Sequence, residues 1–589
     1  MNFNSNYLRQ FYKKCETIQH SYSEPIKNSF VIGNHINCPV ETDVVIAVME
    51  AWINGVEQLL SILEETEGYQ SSHYQLLFKQ RGVRYNEFFY LCYDQNDDFE
   101  FLKHPAFVFT KTINNKHRKF KYSHLSFTPE DYKKFILQHD LEPCKFFNWN
   151  MKALLPIESL YSHTYCVGKT RSGKTELLKL MVNNIIKQKD SDTSLLIIDP
   201  HGQIATELRR LKVFNQKLEN FIYIDPALDE KYSPTFNPFD ISNNSEAHLA
   251  YSTDNILDAF QQLIKDQSLT GNMKRLLRHC IYVLLLAEDV TLMDLFILLS
   301  GLSRNKNKKI PEFNNEELKL LEVGRNSPDP ITRSFFDYGW KDVDTRTLSA
   351  VIERVDSILS HPIVRRFLVG NNSLDFESYL NTGKIVLVNL DFTKLGNIGS
   401  EAIGRLIISE AQNISAQRNR IPKGERPKTI IVIDECQRCV SPTVERALSE
   451  FAKFQTYLIL AHQFAEQLDD TMIKAMLSNT ENKIIGRNSA DSMSSIASDI
   501  GVSKEELMKI KKYQFYFKSG DQDAFLFQSD DKLVNNDREY YLTEEEAKDK
   551  IDRYMICHYY KNDSNRKEFA FTATEKYSST DITLHPDDF

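Results

Sequence analysis

Apolar residues along this chain change their spacing twice, and the changes divide it into unlike parts. Between 160 and 240, short β-prone runs alternate with helical ones. Thr164-Tyr165-Cys166-Val167 precedes a helical run to about 188, then Ser194-Leu195-Leu196-Ile197-Ile198-Asp199, a helix over 203–212, and Phe221-Ile222-Tyr223-Ile224. Strands alternating with helices predict a mostly parallel sheet. From about 245 to 380 the period is helical throughout, clearest over 256–264, 273–286 and 348–359. Strands return at 384–390, 429–433, 457–460 and 483–485, with a terminal pair near 512–528. Before 150 the pattern differs again: a helix at 43–65 precedes β-leaning segments at 83–93, 105–113 and 118–127. The expected organisation is an N-terminal α+β domain over 1–150, an α/β core built from 151–240 and 382–535, an all-helical insertion over 241–381, and a C-terminal extension over 536–589.

Composition narrows the class without naming a function. At 589 residues and 41% hydrophobic content the chain can bury several cores. A net charge of −9 offers no global basic field, so any nucleic-acid surface must be local. The most hydrophobic stretch, 44–63, is interrupted by Glu50, Asn54, Glu57 and Gln58, which makes it an amphipathic helix and not a membrane span. Met1 to Asn6 lack a basic-then-apolar signal pattern, and the nine scattered cysteines suit a reducing compartment; the expectation is cytoplasmic. Cys436 and Cys439 form a Cys-x-x-Cys with no second pair, so neither zinc nor redox chemistry is expected there.

The chemistry is concentrated in two places. Gly168-Lys169-Thr170-Arg171-Ser172-Gly173-Lys174-Thr175 fits the phosphate-loop pattern and lies between a strand and a helix. There, unpaired backbone N–H groups and the helix dipole favour polyphosphate, and the glycines admit a tight turn. Lys174 is expected on the β- and γ-phosphates, with the Thr175 hydroxyl as a Mg2+ ligand. Glu176 follows directly, and Asp199 ends another core strand; both join the nucleotide-binding set. The second place is Thr429-Ile430-Ile431-Val432-Ile433-Asp434-Glu435, an apolar strand ending in two carboxylates. A strand buried on both faces has no structural need for that ending. Asp434 is read as the metal-holding residue and Glu435 as the general base on water, which implies hydrolysis of a nucleoside triphosphate such as ATP. The separation of 260 positions from Lys174 to Asp434 is long for such a core, and the helical insertion accounts for it.

Taken in order, the octapeptide, Asp199-Pro200-His201-Gly202, Asn237-Pro238, Val386-Leu387-Val388-Asn389-Leu390, Asp434-Glu435 and Leu460-Ala461-His462-Gln463 resemble the HerA/FtsK superfamily of P-loop motor ATPases, closest to its HerA-like and conjugative coupling branches. The resemblance spans roughly 160–530. It implies a RecA-like core that assembles as a homo-hexamer around DNA, and Gln463 as a γ-phosphate sensor. It further implies a DNA translocase or helicase acting on double-stranded DNA with a nuclease or other effector, in repair or antiviral defence. Alternatives are a conjugation or secretion ATPase and a nucleotide-gated scaffold ring.

One position departs from the family. Many relatives carry an Arg-Lys pair about ten residues before the glutamine, pointing into the neighbouring subunit's site. Here Ala452 precedes Lys453. A lysine is a point charge and lacks the guanidinium fork. Arg487, after the 483–485 strand, is the preferred alternative, with Arg446 a further one. For DNA, Arg438 beyond Glu435 and the basic run holding Lys116, Arg118 and Lys119 are candidates, beside clusters at 304–309 and 418–428.

Overall fold

The computed structural model describes residues 29–35, 152–215, 217–241, 245–262, 271–370, 374–439, 448, 450–464, 470–529 and 540–562. Eleven strands form one sheet in the order β2-β1-β12-β11-β10-β3-β9-β8-β4-β7-β5. The parallel part runs through β10 (Asn482–Gly486), β3 (Thr164–Val167), β9 (Thr456–His462), β8 (Lys428–Ile433), β4 (Thr193–Asp199), β7 (Ile385–Asn389) and β5 (Phe221–Ile224). Beyond β10, strands β11 (Gln514–Ser519), β12 (Phe525–Ser529), β1 (Ser29–His35) and β2 (Lys152–Pro156) continue the sheet with antiparallel pairing.

The strand sequences explain why the parallel part lies inside. In β4, Leu196 and Ile198 face one apolar cluster while Leu195 and Ile197 face another. The same alternation in β8 puts Ile431 and Ile433 on the first face and Ile430 and Val432 on the second. A strand apolar at every position requires cover on both sides. The first face is covered by α3 (Phe392–Gln417) and by the helices between Glu246 and Leu368. The second is covered by α1 (Lys174–Gln188), α2 (Gln203–Leu208) and a C-terminal helix, Arg553–Tyr559. Helices of the 246–368 block start at caps written in the sequence. Asn314 and Glu317 form a reciprocal capping box, and Asp329 caps a helix that begins with Pro330.

Two features extend the core beyond its expected limits. Residues 29–35, placed by the sequence pattern in a separate N-terminal domain, are a strand of the core sheet. Residues 540–562, assigned to an extension, pack against β5 and α2. Arg209 pairs with Glu544 and Asp552, the Tyr560 hydroxyl donates to the Tyr223 carbonyl at 3.1 Å, and Lys561 pairs with Ser233 of β6 (Tyr232–Ser233). The segments expected at 43–65, 83–93, 105–113 and 118–127 lie outside the described residues, as do Arg446, Lys116, Arg118 and Lys119. Among the described residues no helix is long and apolar enough to cross a membrane.

Because Asn34 is the register partner of Lys152, the chain leaves the sheet at β1 and re-enters it one strand away. Replacing residues 36–150 with a two-residue Asn-Gly turn should therefore leave the core folded, since such a turn closes an antiparallel pair. Cooperative thermal unfolding within a few degrees of the parent is the expected result; loss of the transition would show that the removed segment is needed by the sheet.

Candidate nucleotide site

The site lies where the parallel strands end. The loop 168–173 joins β3 to α1, and its neighbours pin it. Gly168 N donates to the His462 carbonyl at 3.2 Å and Lys169 N to the Arg487 carbonyl at 2.9 Å. The turn needs two left-handed residues, Arg171 at φ 65° and Gly173 at φ 100°. A Cβ on Gly168 would lie 2.7 Å from Ser172 Oγ, so the loop has no room for one there. Among the described residues the buried Ser172 hydroxyl has no partner, and α1 begins at Lys174 with no side-chain cap on its first amides. A cradle of free donors at a helix start fits a polyphosphate.

Strand order brings the acidic residues to this loop. β9 lies between β3 and β8, so Gln463 at its end falls between the loop and Asp434-Glu435. Lys174 Nζ donates to Asp434 Oδ1 and, at 3.1 Å, to Glu435 Oε1. Gln463 Nε2 donates to Glu435 Oε1 at 2.8 Å, and Gln463 Oε1 accepts from the Thr170 hydroxyl at 2.7 Å. Gln437 Nε2 donates to Glu435 Oε2 at 2.7 Å. Lys174, Asp434 and Glu435 are all buried. Burial alone lowers an ammonium's pKa, but Asp434 and Glu435 outweigh it and hold Lys174 above its ordinary value. Burial raises Glu435, yet the Lys174 charge and the hydrogen bonds from Gln437, Gln463 and Lys174 outweigh it, leaving the carboxyl below its usual range.

The other expected residues fall into distinct places. Thr175 opens α1, half-buried beside Lys174. Glu176 pairs with the buried Lys179 at 2.6 Å, and Glu207 shares that lysine. Asp199 is buried and caps the turn into α2, accepting from His201 N at 3.0 Å and Ala205 N at 2.8 Å. Burial, reinforced by the Asp434 charge, pushes its carboxyl up to about 7. Arg438 donates to Asn397 Oδ1 at 3.0 Å and lies 4.6 Å above the Phe392 ring. Arg487 is exposed at the same sheet edge as its own loop. Lys453 is exposed in a short turn before β9, at the opposite edge, the length of a seven-residue strand away, roughly 20 Å.

Several charged candidates have other employment. Arg418 is buried and donates to the Leu380 and Phe454 carbonyls, Asn381, Thr429 and Thr456. Arg304 pairs with Glu317, and Lys308 with Glu312. Cys436 and Cys439 are both buried packing residues, and burial pushes the Cys439 thiol up to about 12. Residues absent from the sequence reading are Gln437, two positions beyond Glu435, and Tyr513, whose amide donates to the Ser172 carbonyl at 2.7 Å. Neither belongs to a motif; only strand adjacency brings Tyr513 to the loop.

Residues 148–403 match the family model described as Helicase HerA, central domain. Among solved structures the chain is similar to the bacterial conjugative coupling protein TrwBdeltaN70 in an unbound form, at 13% identity and TM-score 0.46, over 64% of this chain and 87% of that one. It is similar to plasmid coupling protein TrwB in complex with ADP and Mg2+, at 14% identity and TM-score 0.46, over 64% and 87%. It is also similar to VirB4 of Thermoanaerobacter pseudethanolicus, at 15% identity and TM-score 0.42, over 64% and 94%. No curated protein matches the chain. The matched stretch overlaps the one in which the sequence resembles the HerA/FtsK superfamily.

Lys174→Ala leaves Asp434 and Glu435 buried without their counter-charge. Denaturant unfolding of the ligand-free protein should show a loss on the order of 3–5 kcal/mol, the usual cost of removing one partner of a buried pair. Without the lysine charge that depresses it, the Glu435 carboxyl protonates more readily, so the loss should shrink in mildly acidic buffer.

Proposed function

We propose that this chain hydrolyses ATP with Mg2+ to drive movement along double-stranded DNA, as a hexameric ring working with a nuclease or other effector. The observation that carries the hydrolytic part is the hydrogen-bonded set joining Lys174, Asp434, Glu435 and Gln463 at one strand edge. Bound Mg2+ would neutralise charge developing on the phosphates, with Thr175 and Asp434 the residues to hold it. Lys174 turns from the carboxylates to the terminal phosphates. That removes the strongest influence depressing Glu435, whose basicity then rises when nucleotide is present. Glu435 accepts a proton from the attacking water, and Gln463, bonded to both Thr170 and Glu435, links loop occupancy to the base.

The edge positions of the two cationic candidates support Lys453 as the residue acting across a subunit boundary. Its exposed side chain is too far from its own site to serve it. Arg487, whose carbonyl is bonded to Lys169 N, would then act within its own subunit. This reverses the preference drawn from the sequence.

Lys174→Ala should abolish turnover, whereas Glu435→Gln should keep ATP bound and stall at the chemical step; normal turnover by the glutamine variant would remove Glu435 from the mechanism. Steady-state ATPase rates should rise on adding double-stranded DNA, and light scattering should report a hexamer under the same conditions. A monomer of full activity, or no response to DNA, would leave an ATPase without the motor. Mixed rings of Lys453→Ala and Lys174→Ala subunits should recover partial activity, while Arg487→Ala mixed with Lys174→Ala should not.

A further inference from the structure

The residue that closes over the phosphate loop comes from the antiparallel half of the sheet. Tyr513, just before β11, is one of five non-glycine residues with positive φ among those described, at 64°. A bulky residue in the left-handed region is strained and persists only where its surroundings hold it. Here both backbone groups are held: the amide donates to the Ser172 carbonyl at 2.7 Å, and the carbonyl accepts from Ser529 N at 2.8 Å. The ring lies on Gly173, since a Cβ built there would stand 2.3 Å from Tyr513 Cδ1 and 3.0 Å from Cε1. It therefore fills the space a side chain at 173 would take. The exposed Lys512 carries its Nζ 4.5 Å from the ring centroid.

We propose that Tyr513 is a positioning residue for nucleotide binding: its ring and amide hold the Ser172-Gly173 turn in the left-handed form that presents the loop amides to phosphate. Glycine gains freedom wherever nothing restrains it, and a loop ordered in advance binds without ordering it anew. Once ligand is bound the contacts to phosphate hold the turn themselves. The ring thus governs affinity and leaves the chemical step nearly untouched. The inference rests on the reading of 168–175 as a polyphosphate site.

The test compares ATP and inorganic tripolyphosphate binding by calorimetry, with steady-state kinetics, in the full chain. Tyr513→Ala should weaken both ligands by about fivefold, the size of a glycine's lost restraint, and raise KM with kcat within about twofold. Tyr513→Phe keeps the ring and should behave as the parent. Tyr513→Gly relieves the left-handed strain, so it tests the ring even where the alanine variant is poorly folded; it should show the same loss. Unchanged affinity in the ring-free variants overturns the proposal. So does weakened ATP with unchanged tripolyphosphate, which would assign the ring to the base. A loss of kcat at unchanged affinity overturns it as well. If the parent itself binds neither ligand, the polyphosphate reading fails first, and Lys174→Ala supplies the non-binding control.

Discussion

A buried ammonium shared by two carboxylates is the constraint around which this site is organised. Lys174 belongs to the first turn of α1, and Asp434 and Glu435 to the end of β8, yet β9 separates the two strands that carry them. Bringing the three charges together requires the loop to turn through left-handed residues, α1 to begin at the loop, and β8 to end at the same edge. Each charge is costly to bury alone and tolerable only with its partners. The protein supplies those partners itself. A polyphosphate entering the loop would compete for a lysine already satisfied, so binding would exchange one set of charge pairs for another.

The sheet makes this exchange consequential. Gln463 stands at the end of the intervening strand and touches both sides, the loop through Thr170 and the acidic strand end through Glu435. The two sheet faces are served by different helices, the 246–368 block and α3 on one and α1, α2 and the C-terminal helix on the other. A displacement of α1 is therefore felt first on the second face, while a displacement beyond Glu435 reaches Arg438, Phe392 and Asn397 on the first.

What was legible in the sequence follows from range of interaction. The parallel strands were legible because burial on both faces writes each as an unbroken apolar run, as at 195–198 and 430–433. The loop and the acidic strand end were legible because each is a local string. Position in space was not. Ser29–His35 joins the core by pairing with Phe525–Ser529, some five hundred residues away, and no local pattern announces that. Arg418 reads as one of a basic run, but its guanidinium is buried among carbonyls and hydroxyls. Lys453 and Arg487 look interchangeable as isolated cations; only the direction of β9 and β10 sends them to opposite edges.

Glu435 adopts φ 47° and ψ 48°, a conformation suited to glycine or asparagine. Holding a glutamate there costs on the order of 1–3 kcal/mol, so backbone conformation and ion pairing pull this position in opposite directions. A glycine at 435 would relieve that strain but take from the buried Lys174 one of its two carboxylate partners. Thermal stability at this position therefore reads the difference between a strained backbone and a buried ion pair, and neither alone.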